Sequence, residues 1–421
     1  MLKFLKNKNI RNKILYTIMM LMVYKLGCSI TVPGINLYNL SGLGADSVWG
    51  IMNLLGGGAL ERMSVFALGV GPYITAGIVI QLLSMDVIPA LSEMSKDGVK
   101  GKRKVEKITR YFTLVLAIMQ GLSIVYNFNQ TYGIMSGAKT SDYIFVITVM
   151  VAGSQAMVWI GDRITAKGIG NGISLLIFAG IVSNIPSNFA QSWSILVSGA
   201  ESGKMFNGIL VFAVGCILYL AIIIGVVILE LAVRRIPVQY SSNIGTMNNL
   251  TYLPFKINSA SVLPVIFASS LITAPQIVLS FINQDAYRKV SSALSLQKPF
   301  GLILYGVLVV AFTFFYTALQ MDPKEIGNNL NKQNAYVPGI RPGPDTQTYL
   351  KKVLYRITFF GAAALLVLAM IPYLLPMLTP IPSNMSLGGT GIIIVVGVAM
   401  EMIRTVTTET ESRDYSKWTN N

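Results

Sequence analysis

Apolar residues run along this chain in long blocks rather than at alternating positions. Blocks fall at 14–32, 111–128, 143–161, 169–185, 208–233, 262–281, 300–321, 353–375 and 387–403. Each is close to the roughly 20 residues that one helical membrane crossing needs. A further block, 49–85, is nearly twice as long and is broken in the middle. Its first half carries Gly56-Gly57-Gly58 and ends at Glu61-Arg62, and its second half starts after Gly69-Val70-Gly71-Pro72. Neither half is a clean span, and the whole is too long to be one. Interrupted helices at membrane depth survive only where protein or a water-filled cavity shields their backbone. The pattern therefore predicts ten spans arranged around a path through a bilayer.

Composition agrees with the blocks. Of the 421 residues, 53% are apolar and only 12% are charged, against about 25% charged in soluble proteins. The first block follows Lys3, Lys6, Lys8, Arg11 and Lys13 and has no small-residue cleavage site after it. It reads as a retained first span rather than a signal peptide. The net charge of +15 comes from 33 Lys and Arg against 18 Asp and Glu. Sorted by alternate loops, 26 of the cations fall on one side with both termini and six on the other, with Lys25 inside the first block. Basic loops stay cytosolic, so both termini are expected in the cytosol.

Ten spans divide into five and five, with halves 1–205 and 206–421. An odd number per half inverts the second half relative to the first, the plan of proteins that hold a path between two repeats. The fold class expected is all-α: a polytopic membrane protein of ten transmembrane helices in two inverted five-helix halves, a clamshell.

Candidate chemistry is sparse. The chain has no histidine, so the commonest general base and imidazole metal ligand are absent. Cys28 and Cys216 both lie inside apolar blocks, and two such thiols make neither a disulfide scaffold nor a metal site. No cofactor, metal or enzymatic activity is expected. Gly168-Ile169-Gly170-Asn171-Gly172 resembles a phosphate loop, but spans flank it on both sides. A dinucleotide site would need a preceding strand, so a tight turn into the fifth span is the better reading. Glu230 and Glu401 sit near span ends. Mid-bilayer carboxylates, which ion-coupled carriers retain, are not evident. The polar segment 322–352 carries Pro323, Pro338, Pro342 and Pro344. A long loop of this kind is uncommon unless it works, and a docking surface for a cytosolic partner is expected there.

Several motifs then converge on one family. Pro33-Gly34-Ile35, the stretch from Gly57-Gly58-Ala59-Leu60 to Pro72-Tyr73-Ile74-Thr75-Ala76, and Gly168 to Ser174 resemble the SecY family of bacterial protein-conducting channels. So do Arg234-Arg235-Ile236-Pro237, Leu253-Pro254-Phe255-Lys256-Ile257-Asn258, Pro264 to Ser270, Pro338-Gly339-Ile340-Arg341-Pro342-Gly343 and Gly388-Gly389-Thr390. They occur in the family's order. The resemblance implies a clamshell that passes unfolded preproteins across the membrane and releases hydrophobic segments sideways. It casts Ile51, Met52, Asn53, Leu54, Leu55, Gly56, Gly57, Gly58, Ala59 and Leu60 as the plug. It places a pore ring at Ile74, Ile78, Ile177, Ile181, Ile266 and Ile394. By composition alone those six isoleucines would only face lipid or a neighbouring helix. Ile74 and Ile78, like Ile177 and Ile181, are four apart and share a helical face, and a ring of stiff apolar side chains resists ion leak.

By the same resemblance, loops 234–258 and 322–352 dock a cytosolic partner through Arg234, Arg235, Lys256 and Arg341. The partners implied are small SecE-like and SecG-like membrane subunits, the SecA motor ATPase, the ribosome, and an unfolded preprotein with its signal peptide, all at the lipid bilayer. Ser241–Tyr252 carries no Lys or Arg, a departure from many members that leaves open an accessory channel for a restricted cargo. An inverted-repeat secondary transporter is the remaining alternative.

Overall fold

The computed structural model of the protein describes residues 8–35, 50, 52–53, 56–85, 87–135, 137, 139–198, 205–240, 251–282, 284–379 and 383–419. Every predicted block contains a helix. In chain order these are α1 (Lys8–Ser29), α2 (Gly71–Leu83), the short α3 (Pro89–Lys96), α4 (Gly98–Tyr132), α5 (Thr140–Lys167) and α6 (Gly172–Trp193, continued by a π turn, Ser194–Ser198). The second half holds α7 (Met205–Leu231), α8 (Leu263–Ile282), the short α9 (Gln284–Leu294), α10 (Pro299–Gln320), the short α11 (Pro323–Lys332), α12 (Pro344–Leu378) and α13 (Ser383–Thr419). Among the described residues, seven helical stretches are long and apolar enough to cross a membrane, and two shorter apolar helices lie at Gly71–Leu83 and Leu263–Gln276. The chain is thus a multi-pass membrane protein.

Several helices outrun their apolar blocks. Helix α4 begins at Gly98, well before the apolar run, and its first turns carry exposed Lys102, Arg103, Lys104 and Lys107. No proline interrupts that stretch, so the backbone ladder continues into water. The opposite holds for the block at 49–85: α2 fills only its second half, and of the described residues before it Gly50, Met52 and Asn53 are helical. Gly57, Gly58 and Gly69 adopt positive φ there, a backbone geometry that ends regular helix. Residues 56–70 form a succession of tight turns instead.

Ion pairs fix which helix ends share a face. Arg110 near the start of α4 meets Asp162 near the end of α5 at 2.9 Å. Lys13 in α1 meets Glu409 in α13 at 2.7 Å. The first and last helices therefore bring the two ends of the described chain to one side. Helix α7 leaves Ile209, Ile217, Ile224 and Ile228 exposed, as a lipid-facing helix does.

The all-α membrane part carries a small sheet that the apolar pattern did not foretell. β1 (Val233–Tyr240) pairs antiparallel with β2 (Thr251–Lys256), placing Arg234 opposite Phe255 and Arg235 opposite Pro254. β1 also pairs with β3 (Ala335–Tyr336), giving the order β2-β1-β3. The segment 322–352 is likewise not an open loop: it contains α11, β3 and the first turns of α12. Ile236, Val238 and Phe255 from the hairpin pack with Leu330, Val337 and Leu350 from the second segment in one core. Polar composition concealed this because a core of that size needs only one apolar residue every few positions.

Candidate functional site

All six isoleucines assigned to a ring lie in a single buried cluster. Ile181 is 0% exposed and Ile74, the most open of them, 8%. Two come from α2, two from α6, one from α8 and one from α13, so both halves contribute. Tyr24, Ala59, Phe66 and Val70 share the cluster. The isoleucine side chains offer no hydrogen-bonding group, so this part of the cluster is wholly apolar.

Val70 was missed by the sequence reading. It lies one helical turn before Ile74, is 2% exposed, and lines a small cavity of about 40 Å³ together with Met52, Gly56, Ile74, Gln120 and Ser269. Ile78, one turn further along α2, does not line that cavity. Val70 precedes the helix and belongs to the Gly69-Val70-Gly71 interruption, which drew attention to its glycines instead. Its four-residue spacing from Ile74 was the available signal.

Of the segment expected to form a plug, Met52, Asn53 and Gly56 to Leu60 are described; Ile51, Leu54 and Leu55 lie outside the described residues. The Tyr24 hydroxyl donates to the Gly56 carbonyl at 3.2 Å, and the Lys25 ammonium donates to the Gly57 carbonyl at 3.4 Å and to the Ser183 hydroxyl at 2.8 Å. Lys25 therefore holds the backbone of this segment. Gly57 has φ +71°, and a β-carbon there would stand 2.7 Å from the Tyr24 hydroxyl and 2.9 Å from the Gly180 α-carbon. Only glycine fits. On the other side, Ala59 and Leu60 are fully buried, Val32 N–H donates to the Met63 carbonyl at 3.0 Å, and Val65 N–H donates to the Ile30 carbonyl at 2.9 Å. Helix α5 adds a hydrogen bond from the Ser154 hydroxyl to the Gly69 carbonyl at 3.0 Å.

The Gly168–Gly172 motif forms the tight turn expected of it. Gly170 has φ +72°, and the Asn171 side chain caps α6 by accepting from the Ile173 and Ser174 N–H groups at 3.1 and 3.4 Å. A β-carbon on Gly172 would sit 1.9 Å from the Gly161 carbonyl oxygen, so the turn sets α6 directly against α5. That contact positions Ile177 and Ile181.

On the face shared by the sheet, Arg234, Arg235 and Arg341 are exposed, whereas Lys256 is half-buried. Burial pushes the Lys256 ammonium below the usual lysine range, and repulsion from Arg404 adds to this against the attraction of Glu230 and Glu401. The three arginines are the better-presented cations. Arg341 sits between Gly339 (φ +82°) and Gly343 (φ +106°), and its carbonyl accepts from the Thr346 hydroxyl at 2.8 Å. Beneath them Glu230 is buried, accepting from the Asn258 amide at 2.9 Å and the Ser261 hydroxyl at 3.1 Å, while the Arg404 guanidinium donates to the Glu230 backbone carbonyl. This joint ties the end of α7, the strand exit before α8 and the body of α13 together. Among the described residues no group of three His, Cys, Asp or Glu side chains could hold a metal ion.

Comparison with known proteins matches this architecture. The sequence profile of the SecY family matches residues 64–403. The protein translocase subunit SecY of Bacillus licheniformis is 40% identical over 419 residues, covering 98% of this chain and 97% of that protein. Among solved structures, one on the plug domain of SecY and the closed state of the translocation channel aligns with TM-score 0.65 at 19% identity, covering 96% of this chain and 93% of that one. The Sec61 channel of a canine ribosome–channel complex aligns with TM-score 0.66 at 19% identity, covering 96% of this chain and 94% of that one. With its fold shared and its sequence matched from end to end, this chain belongs to the SecY family.

Proposed function

We infer that the chain is the pore-forming subunit of a Sec translocon in a bacterial plasma membrane, passing unfolded preproteins across it and releasing hydrophobic segments sideways into lipid. One observation carries the reading: Ile74, Ile78, Ile177, Ile181, Ile266 and Ile394, drawn from four helices of both halves, meet in one buried cluster beside a glycine-rich segment. A constriction of this kind seals against ions yet holds no particular sequence. Val70 extends it by a turn toward the plug. The plug role of 51–63 is supported by the contacts of Gly56 and Gly57 with Tyr24, Lys25 and Gly180. The chain does no bond chemistry in this reading, so a partner ATPase, the ribosome or the proton-motive force drives transport.

The docking face is built by Arg234, Arg235 and Arg341 on the hairpin and the adjoining turn, with Lys256 at its half-buried edge. Rigid cations suit ribosomal phosphates or acidic surfaces of a motor such as SecA. The ribosome-bound relative of this fold supports that kind of partner. SecE-like and SecG-like subunits would complete the assembly, with both termini of this chain in the cytosol. The test is reconstitution with SecA and a preprotein in vesicles. Protease-protected preprotein that depends on ATP is the expected product. Saturable uptake of a small solute without protein transport would overturn the reading in favour of a secondary transporter.

A further inference from the structure

Beside the ring, a part-buried hydrogen bond links distant parts of the chain across the two halves. Tyr316 of α10 donates its hydroxyl to the Gln81 side-chain carbonyl of α2 at 2.8 Å, across 235 positions of sequence. Gln81 lies three residues beyond Ile78, and both partners sit close to the C-terminal ends of their helices. Tyr316 is 4% exposed. Its ring lies 4.8 Å from that of Phe267, the neighbour of Ile266, and Phe267 in turn meets Phe312 edge-on at 6.1 Å. Helices α2, α8 and α10 therefore converge on one polar contact set in an apolar surround.

We propose that the Tyr316–Gln81 hydrogen bond is a clasp across the seam between the two halves, and that breaking it is part of what a signal segment must do to open the seam. This deepens the translocon reading and rests on it. Parting α2 from α10 separates a hydroxyl and an amide that have found each other in a low-dielectric setting, where such a bond is strong. The apolar face of an entering segment offers neither group a replacement. A weak or absent signal segment therefore cannot compensate for the loss, and the seam stays shut. A second side-chain pair between the halves, Lys13–Glu409, lies at partly exposed helix ends, where water competes and such pairs contribute little. The clasp is placed where a small energetic change moves the ring itself, because Ile78 is on α2, which it joins to α10, and Ile266 is next to Phe267, on which the Tyr316 ring packs.

The test uses the full reconstituted complex with wild type, Tyr316→Phe, Gln81→Met and the double variant. Three quantities are read: resting ion conductance in planar bilayers, export of a preprotein with a crippled signal sequence, and export of the same preprotein with an intact one. Each single variant is expected to raise the first two about fivefold, the order of one neutral hydrogen bond. The double variant is expected to do no more than either single, because both changes remove the same bond. Singles at wild-type values, or a double variant whose effect is the product of the two, would overturn the clasp. If Tyr316→Phe does not fold, Gln81→Met reads the bond from its other end. Absence of intact-preprotein export by the wild type would overturn the translocon reading and the clasp together, whereas normal wild-type export with unaltered variants would overturn the clasp alone.

Discussion

At the scale of single residues, the chain relies on shape more than charge. Isoleucine suits the proposed ring because a β-branched side chain is stiff and offers no polar atom. Replacing Ile394 by Asn, or Ile78 by Ser, places a hydrogen-bonding group there. Both variants are expected to leak ions in planar bilayers and to relax the demand for a good signal sequence; unchanged conductance would remove that residue from the seal. Gly57 is constrained differently. Its positive φ and its contact with Tyr24 and Gly180 leave no room for a β-carbon. The left-handed conformation alone costs a non-glycine residue about 1–2 kcal/mol. Gly57→Ala is therefore expected to unseat the plug and raise resting conductance while preprotein export persists, and normal resting conductance in that variant would show that the plug tolerates the methyl group. The type of residue at each of these places was legible in the sequence, as the isoleucines and the glycine triplet show. That Lys25 holds the Gly57 carbonyl was not, because a lysine at a span end reads as one that reaches for the interface.

At the scale of elements, the joint at Glu230 shows how the β1–β2 hairpin is tied to α7, α8 and α13. Its carboxylate accepts from Asn258 and Ser261, one residue to either side of the Ser259-Ala260 turn that leads from β2 into α8. Glu230→Ala leaves those two donors without that acceptor, which at about 1–3 kcal/mol per buried unsatisfied group is a large fraction of a fold's margin. A lower thermal midpoint of the purified protein is expected for Glu230→Ala, with most of the loss restored in Glu230→Gln, which still offers a carbonyl oxygen. Equal loss in both variants would assign the effect to charge rather than to the hydrogen bonds. The hairpin escaped the sequence reading because Pro237 and Pro254 interrupt a strand-like pattern, and proline demotes a strand. The two prolines lie in β1 and β2 at a small sheet outside the membrane blocks, where a missing ladder bond is tolerated.

At the scale of the whole molecule, both halves contribute to one buried cluster, and Arg234, Arg235 and Arg341 are all exposed. In the translocon reading, function at this scale depends on transmitting a partner's force to that cluster. Arg341 stands at a turn fixed by two glycines and by the Thr346 hydrogen bond. Arg341→Glu reverses charge without touching the core, so it is expected to reduce motor-driven export at least tenfold, the effect of about 1.4 kcal/mol at a binding step, while the channel still inserts into the membrane and assembles. Wild-type secretion by that variant would count against the docking role.

The sequence by itself determined that the chain is a multi-pass helical membrane protein, and the family, because block length and motif order are one-dimensional properties and survive without knowledge of the fold. Only the tertiary structure decided that Lys25 holds the Gly57 carbonyl, that α2 is fastened to α10 through Gln81 and Tyr316, and that the two polar segments close over a shared core. Each of those facts is a distance between residues far apart along the chain, and such distances are set by packing rather than by any local pattern.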